Sequence, residues 1–338
     1  MRPHLPVSLL SAALVLSACA SSEDGDAGPV AEGYPVTVDN CHADVTATDR
    51  PERIVSLNQG STEILLSLGL EDRMVGTATW TDPVLPNLAQ ANEGIERLAD
   101  NNPSYEAVLD TEPDLVTASF TGTLAEGGVA TVDDFAEYDI PAYLSPAECG
   151  KVEKGNTDGE REGTLEIDAI YTEIRELAAL TDTVDEGEAL VASLEERMAA
   201  ASAVQVGEGV SVMYWFANSE SPYMAGCCGG PGIVSRALGL DNVFVDQTAE
   251  WPQINWEVVA AEDPDVLVIG DLTRKSQTAE TAAAKVAFLE SNPVTSQMTA
   301  VKEKRYIYLA GAELNPSIRT VDAVEKVAQG LRDLGLAS

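Results

Sequence analysis

Short apolar runs alternate with helical patterns along most of the chain. Buried strands are predicted for RIVSL, RMVGTA, PDLVTAS, IPAYLS, GVSVMYWF, DVLVIGD and KRYIYLA. Between the first two runs, Ile64, Leu65 and Leu68 recur at helical spacing, with Gly60 or Ser61 as the predicted start and Gly69 as the end. Strands that alternate with helices predict βαβ units and parallel sheets, so the fold class is α/β.

The middle of the chain follows a different pattern. Residues 164–180 and 184–204 predict two long amphipathic helices. A helix of about 20 residues spans ~30 Å, which is the scale of a domain. We therefore expect the second helix to act as a rigid spine between two α/β halves. The predicted segments are an N-terminal lobe (51–183), a spine helix (184–205) and a C-terminal lobe (206–338).

One phrase occurs twice, 151 positions apart: SYEAVLDTEPDLVTASF (104–120) and NWEVVAAEDPDVLVIGD (255–271). The aligned pairs include Glu106 with Glu257, Pro113 with Pro264 and Asp114 with Asp265. A helix, a Pro-Asp turn and a buried strand recur in many α/β proteins, which accounts for the prolines and the apolar runs. The two glutamates open their helices, where they either only stabilise the helix dipole or mark a functional surface.

The N-terminus carries the features of an export signal. Val7 to Leu16 is apolar but too short to span a bilayer, and small residues precede Cys19. LSAC resembles the bacterial lipobox, which implies removal of residues 1–18 and lipidation of Cys19; the alternative is an ordinary signal peptide with an incidental cysteine. Residues 19–50 are then the lipidated cysteine with its tether and entry segment, and residues 20–35 are acidic and lack apolar periodicity.

Composition narrows the possible partners. The formal charge of −36 disfavours nucleic acid and indicates a soluble monomer. Cys41 and Cys149 flank the first lobe, and we expect them to pair outside the cytoplasm. Cys227 and Cys228 are adjacent and are either free or bonded to each other.

Histidine content narrows the chemistry. The chain has two histidines, His4 in the signal and His42 near the tether, so the core lacks the Ser-His and Cys-His pairs of many hydrolases. No glycine-rich nucleotide fingerprint occurs at a strand–helix turn. We therefore predict a non-enzymatic protein without a cofactor or a bare-metal site.

Several motifs carry a family resemblance. PERIVSLNQGSTEILLSLGLEDRMVG, EAVLDTEPDLVTA, WPQINWEVVAAEDPDVLVIGD and the long central helix resemble bacterial substrate-binding lipoproteins of ABC importers for iron–siderophore complexes, haem and cobalamin. The likeness covers most of the chain from Pro51 onward. It implies two Rossmann-like lobes bridged by a rigid helix, with the ligand in the cleft between them. Its implied partners are a permease dimer and that dimer's ATPase.

The resemblance gives the repeated glutamates a role. In the vitamin B12-binding member, one surface glutamate per lobe docks onto arginines of the permease, and Glu106 and Glu257 stand in the matching YE and WE positions. Two acidic contacts suit a partner with two-fold symmetry and would fix its register.

Ligand-binding candidates fall where strands end, since open α/β sheets bind ligands there. The aromatic candidates are Trp80, Trp215, Phe216, Tyr223 and Trp251. Trp215 and Phe216 also suit a core role. The polar candidates are Asn58 and Gln59 at a helix start, together with Arg274 and Arg319, which suit carboxylate, hydroxamate or catecholate oxygens. For Arg319 a surface ion pair is the alternative.

The resemblance also bears on the ligand. Trp251 matches the WPQ tryptophan of the vitamin B12-binding protein and Trp80 lies near one of its aromatic positions, whereas Asp100 and Ser119 replace two further tryptophans. The expected ligand is therefore a ferric–siderophore complex, held outside the cytoplasm by a membrane-anchored receptor. Cobalamin, another corrinoid or haem is the alternative ligand, and a surface sensor or adhesin is the alternative function.

Overall fold

The computed structural model describes residues 31–41, 43–80, 82–152, 159–161, 163–274 and 280–338. The strands in these ranges are β1 (Val36–Asn40), β2 (Ala43–Ala47), β3 (Ile54–Ser56), β4 (Met74–Ala78), β5 (Arg97–Ala99), β6 (Leu115–Ala118), β7 (Ala142–Leu144), β8 (Lys151–Val152), β9 (Glu160–Arg161), β10 (Ser211–Ala217), β11 (Tyr223–Met224), β12 (Asp241–Asn242), β13 (Val266–Asp271) and β14 (Tyr306–Ala310).

The α-helices in the same ranges are α1 (Gln59–Ser67), α2 (Ala89–Asn92), α3 (Tyr105–Leu109), α4 (Val132–Ala136), α5 (Asp168–Leu180), α6 (Val184–Ser202), α7 (Gly230–Leu238), α8 (Trp256–Glu262), α9 (Ala282–Ser291), α10 (Thr299–Lys302), α11 (Gly311–Leu314) and α12 (Arg319–Asp333). Short 3-10 helices lie at Glu71–Arg73, Pro86–Leu88, Thr121–Leu124, Pro146–Glu148 and Thr295–Gln297. None of the described helices is long and apolar enough to cross a membrane.

The N-terminal lobe is built on a parallel sheet with strand order β5-β4-β3-β6-β7. Helices α1, α5 and α6 cover one face, where Ile64, Ile174 and Val191 share a core. Helices α3 and α4 cover the other face through Val108 and Phe135. Burial on both faces explains why the strands are continuous apolar runs rather than alternating ones.

The C-terminal lobe repeats this plan with the order β11-β10-β13-β14, and β12 also pairs with β10. The strands are parallel except for β11, which is antiparallel to β10. Helices α7 and α12 pack on one face through Val234 and Val324, and α8 and α9 pack on the other through Val259 and Leu289. The chain therefore has two α/β lobes, as the sequence predicts.

The spine helix α6 has 19 residues and carries side chains into both lobes. Val191 and Leu194 are buried in the N-terminal core, and Ala201 is buried in the C-terminal core. Met198 packs against both cores. Because one continuous helix is packed at both ends, it restrains the lobes relative to each other.

The repeated phrase begins with the same helix cap in both lobes. The Ser104 hydroxyl accepts a hydrogen bond from the Ala107 amide at 3.2 Å, and the Asn255 side chain accepts one from the Val258 amide at 3.0 Å. A side-chain oxygen at this position satisfies one of the free amides of the first helical turn. The glutamate of each helix follows its cap by two residues.

The phrase ends in the same turn. Glu112 and Asp263, again 151 positions apart, have φ values of +47° and +42°. Two residues later, the Asp114 carboxylate accepts the amides of Glu52 and Arg53 just before β3, and Asp265 accepts the Ser211 amide that opens β10. Each aspartate thus fixes the start of the strand beside its own, which explains why the repeat retains Pro-Asp.

A β-hairpin precedes the first lobe. Strands β1 and β2 pair in antiparallel register, and Val45 and Ala47 are buried in the N-terminal core. The predicted tether and entry segment, residues 19–50, therefore contains a hairpin in its described part. The period-two alternation of valines in VTVDN and ADVTA was the available signal, but the runs are short and polar. The signal peptide and residues 19–30, which include Cys19, lie outside the described residues.

Two cysteine pairs are bonded in the structure. Cys41, in the turn of the hairpin, is joined to Cys149 after β7, with 4.6 Å between their Cα atoms. This bond fastens the hairpin to the sheet, beside the Asn40 side chain that pairs with the Leu144 backbone. Cys227 is joined to Cys228, the arrangement that the sequence leaves open.

Candidate ligand-binding cleft

The carboxyl ends of the two sheets meet at the boundary between the lobes. Thr79 follows β4 and Ser119 follows β6, whereas Ala312 and Asn315 follow β14. These residues, together with Phe120, line one small cavity. Ligands of open α/β sheets bind at such strand ends, so this boundary is the candidate cleft.

The C-terminal wall is the Phe216 ring with a guanidinium beside it, packed against the buried Trp251. Phe216, at the end of β10, packs against Trp251 with 5.0 Å between ring centroids. The Arg274 guanidinium carbon lies 5.3 Å from the Phe216 centroid. Burial lowers the pKa of Arg274, an effect opposed by the charge of Asp82. Within the described residues its buried Nε has no hydrogen-bond partner.

The N-terminal wall repeats this pairing. Thr79 has φ of +51°, and this left-handed residue delivers Trp80 from the end of β4. The Arg97 guanidinium carbon lies 5.4 Å from the Trp80 ring centroid, and Arg97 also pairs with Asp100 at 3.1 Å. The buried indole nitrogen of Trp80 lacks a partner in the part of the chain that the structure describes. Each lobe therefore offers a half-buried arginine–aromatic pair.

Comparison with known proteins supports this assignment of the fold. The family model described as "Periplasmic binding protein" matches residues 54–312. The chain belongs to this family. Among the described residues, no three or more His, Cys, Asp or Glu side chains are grouped to hold a metal ion.

Three similar proteins illustrate the family. The "uncharacterized ABC transporter substrate-binding lipoprotein YvrC" of Bacillus subtilis is 25% identical over 98% of this chain and 97% of its own. A "cobalamin-binding protein" of Halobacterium salinarum is 25% identical over 89% of this chain and 75% of its own. The crystal structure named as an ABC-type Fe3+-hydroxamate transport system from Saccharomonospora viridis is 24% identical, has a TM-score of 0.72, and covers 88% of this chain and 99% of that chain.

Two residues that were predicted to contact the ligand are buried inside the lobes. Trp215 is fully buried in the C-terminal core, edge-on to Trp256 at 4.8 Å, so it offers no surface to a ligand. The alternation of β10 turns Trp215 to one face of the sheet and Phe216 to the other. Asn58 is also buried, and its side chain bonds the Ser119 amide and the Thr123 hydroxyl. Trp215 and Asn58 therefore stabilise the interior of the protein and do not contact a ligand in the cleft.

Gln59 and Tyr223 are neither fully buried in the core nor freely exposed in the cleft. Gln59 lines the small cavity, but its side chain bonds Glu63 and the Asp82 amide, which restricts it. Tyr223 lies on β11 with 36% of its surface exposed and is bridged to Gln253. Tyr223 therefore remains a candidate for the rim of the cleft.

Arg319 is buried between the lobes rather than free in the cleft. Its guanidinium binds both oxygens of the Glu63 carboxylate on α1 and the Pro83 carbonyl at 2.7 Å. The Asp82 carboxylate beside it accepts the Ala312 amide at 2.6 Å, and burial raises its pKa. We name these residues, Glu63, Asp82 and Arg319, the Arg319 clasp, because they fasten the N-terminal lobe to the C-terminal lobe.

A second clasp lies on the opposite side of the boundary. Arg161 of β9 binds the Glu250 carboxylate of the C-terminal lobe through Nε. Lys151 of β8 lies 3.5 Å from Glu148 and 3.4 Å from Glu250. All four side chains are less than 10% exposed. This Arg161 clasp, made of Glu148, Lys151, Arg161 and Glu250, closes the edge near β7 and β11.

Both repeated glutamates are exposed in the first turns of α3 and α8. Each of these helices directly precedes a parallel strand, β6 or β13, and runs antiparallel to it. Its N-terminus therefore lies at the level of the strand carboxyl ends. Glu106 and Glu257 thus stand at equivalent places on the cleft-side ends of the two lobes.

The sequence did not reveal the carboxylates of the clasps. With 56 Asp and Glu residues in the chain, no single one stands out by type or spacing. Arg97 was missed for a similar reason, since its partner Trp80 lies 17 positions before it, just after another strand. Only the fold brings such residues together.

Proposed function

We propose that this chain is the substrate-binding component of an ABC importer that captures a ferric–siderophore complex and delivers it to a permease. The importer class is supported by the family and by the similar lipoprotein of Bacillus subtilis. The observation that carries the ligand class is the pair of arginine–aromatic walls, Arg97 on Trp80 and Arg274 on Phe216. Aromatic rings suit a bulky chelate, and guanidinium groups suit its oxygens.

The same walls disfavour a bare metal ion as the cargo. Cation sites in proteins use carboxylates, thiolates or imidazoles as ligands, whereas these walls present arginines and aromatic rings. Iron would therefore arrive inside a chelator. Cobalamin is the second candidate, supported by the relative in Halobacterium salinarum, which carries the name cobalamin-binding protein.

Tryptophan fluorescence tests the ligand directly. Protein that begins after Cys19 is titrated separately with a ferric hydroxamate, a ferric catecholate, haem and cobalamin. We expect saturable quenching by one ferric siderophore, because Trp80 and Trp251 lie in the two walls. The gallium complex of the same chelator controls for light absorption by iron. Saturation by cobalamin alone would select the second candidate, and no saturation by any of the four would contradict the ligand proposal.

Two arginine variants test the site. Arg274→Gln removes the guanidinium on Phe216, and we expect it to weaken binding of the quenching complex by roughly tenfold, the loss expected for one charge-assisted hydrogen bond. Arg332→Gln changes the same residue type at an exposed position of α12 and serves as the matched control. Equal affinities of the two variants would place the ligand elsewhere.

The docking glutamates form a separate part of the proposal. Replacing both Glu106 and Glu257 with Ala should leave ligand binding unchanged, because both side chains are exposed in the first turns of their helices and belong to neither arginine–aromatic wall. Uptake of radioactive iron by cells should fall. Undiminished uptake would remove the docking role and would favour a surface sensor or adhesin.

The proposed receptor is monomeric and anchored outside the cytoplasm through lipidated Cys19. The anchor is supported by the LSAC motif and by the word lipoprotein in the name of the Bacillus relative. Mass spectrometry of the membrane-extracted chain tests it, and replacement of Cys19 with Ser should release the protein.

A further inference from the structure

The register pairing of strands β10 and β13 stops before the carboxyl ends of the two strands. Their parallel pairing ends at Trp215 and Ile269. The next carbonyls along each strand, those of Phe216 and Gly270, both accept hydrogen bonds from the Lys285 ammonium of α9, the second at 2.6 Å. Lys285 has no exposed surface. Its ammonium therefore joins the two strands at the point where the backbone ladder stops.

The surroundings of this ammonium are tightly packed. Its nitrogen lies 5.1 Å from the Trp215 ring centroid, where the negative face of the ring attracts a cation. A Cβ atom on Gly270 would lie 2.9 Å from the Leu314 side chain and 3.0 Å from the Phe216 carbonyl oxygen, so the close approach of the two strand ends requires glycine here. The strand ends thus lie close together around the Lys285 ammonium.

The segment that carries Lys285 is itself fastened to the same strand ends. The Asp271 carboxylate accepts the Ala282 amide at 2.7 Å, and Glu280 accepts the Ser219 amide at 3.0 Å. These two carboxylates and the Arg274 guanidinium are the charged groups that face the ammonium. Burial lowers the pKa of Lys285 to about 8, because the carboxylates offset only part of the cost of desolvation.

Phe216 is the ring on which the C-terminal wall depends. It stands between the Arg274 guanidinium and Trp251. We propose that Lys285 is a positioning residue of the cleft, which fixes the Phe216 ring, and through it Arg274, by holding the Phe216 and Gly270 carbonyls together. This role rests on the proposed ligand-binding function of the same wall.

Nuclear magnetic resonance of the unliganded protein tests the coupling independently of any ligand. With lysine labelled at the 13Cε position, one resonance should titrate near pH 8 and disappear in Lys285→Arg. The Phe216 ring resonances should move with the same midpoint. Ring resonances that stay constant while Lys285 titrates would overturn the proposal, as would a Lys285 resonance that titrates like those of exposed lysines.

A double-mutant cycle tests the effect on binding, with ferric desferrioxamine or whichever chelate quenches the wild-type protein as the probe. Lys285→Met should weaken binding about tenfold, and Phe216→Leu by a similar factor. The double variant should be no weaker than Phe216→Leu alone, because Lys285 acts through that ring. Effects that multiply, or wild-type affinity in Lys285→Met, would refute the positioning role.

Two controls separate the possible failures. Lys304→Met removes an ammonium of which 75% of the side chain is exposed, so it should bind like the wild type. Lys285→Arg, which keeps a charged donor, provides a second variant if Lys285→Met fails to fold. If the wild-type protein binds none of the four probes, the proposed function fails, and the resonance experiment alone decides the role of Lys285.

Discussion

Glu173 offers a quantitative test of the buried charges in the N-terminal lobe. It lies on α5 with 1% of its surface exposed, and its Oε2 accepts the Ser145 hydroxyl at 2.5 Å. Its Oε1 is buried without a partner among the described residues. Burial raises the pKa of Glu173 to about 7, with added repulsion from Glu176 and Glu148 and partial relief from Ser145.

The size of the expected effect follows from linkage. The ordinary pKa of the glutamate is 4.5, so between pH 4.5 and about 7 the folded protein holds a proton that the unfolded chain releases. Stability therefore falls as pH rises through this range and stays reduced above it. Since one pH unit corresponds to about 1.4 kcal/mol, Glu173 lowers the unfolding free energy at pH 8 by about 3 kcal/mol relative to pH 4.5.

Glu173→Gln removes the titration with little change in shape. We expect the unfolding free energy of the variant, relative to the wild type, to rise by about 3 kcal/mol between pH 4.5 and pH 8. Urea denaturation followed by tryptophan fluorescence measures this difference at several pH values. The comparison cancels other buried acids, such as Asp82, that titrate in both proteins.

The control variant is Glu196→Gln, which removes one negative charge from an exposed position of α6. Its stability relative to the wild type should be nearly independent of pH. If Glu173→Gln shows the same flat profile as this control, then Glu173 is ionised at little cost in the folded protein, and the reasoning from burial is refuted.

Further predictions concern the clasps and the repeat. Arg319→Met leaves the Glu63 carboxylate buried without its cation, so the unfolding free energy should drop by about 3–5 kcal/mol in urea denaturation. The double change with Glu63→Gln should cost less than Arg319→Met alone, and a cost equal to the sum of the two single changes would show that the pair is not coupled. Asp114→Ala and Asp265→Ala each leave strand amides without an acceptor, so each should cost about 1–3 kcal/mol, with faster hydrogen exchange at the start of the neighbouring strand. Unchanged exchange would contradict this role for the aspartates.

Periodicity was sufficient to predict most of the regular elements. The apolar runs predicted the central strands because both faces of these sheets are covered by helices. The spine helix was predicted because its apolar face extends over many turns. The predicted strand RIVSL corresponds to Ile54–Ser56, and the predicted second helix corresponds to Val184–Ser202. Helix α9 was not predicted because alanines dominate its sequence and weaken the amphipathic contrast.

The site was less accessible to sequence reasoning. Trp80, Phe216, Trp251 and Arg274 were predicted from their positions at strand ends; the structure places Arg274 over the Phe216 ring and packs Trp251, which is 6% exposed, against the same ring. Which of two neighbours faces the boundary depends on strand register, and that distinction separated Phe216 from Trp215. Pairings between distant segments, such as Glu63 with Arg319 across 256 positions, left no local pattern to detect.

The two clasps also have a consequence for how the protein unfolds. If one lobe melted alone, the Arg319 and Arg161 clasps would expose unmatched halves of buried ion pairs, and α6 would lose half of its packing. Both losses would destabilise the lobe that is still folded, so unfolding should be cooperative across the whole chain. A substitution in one lobe would then reduce the amount of intact receptor even when the other lobe is unaltered.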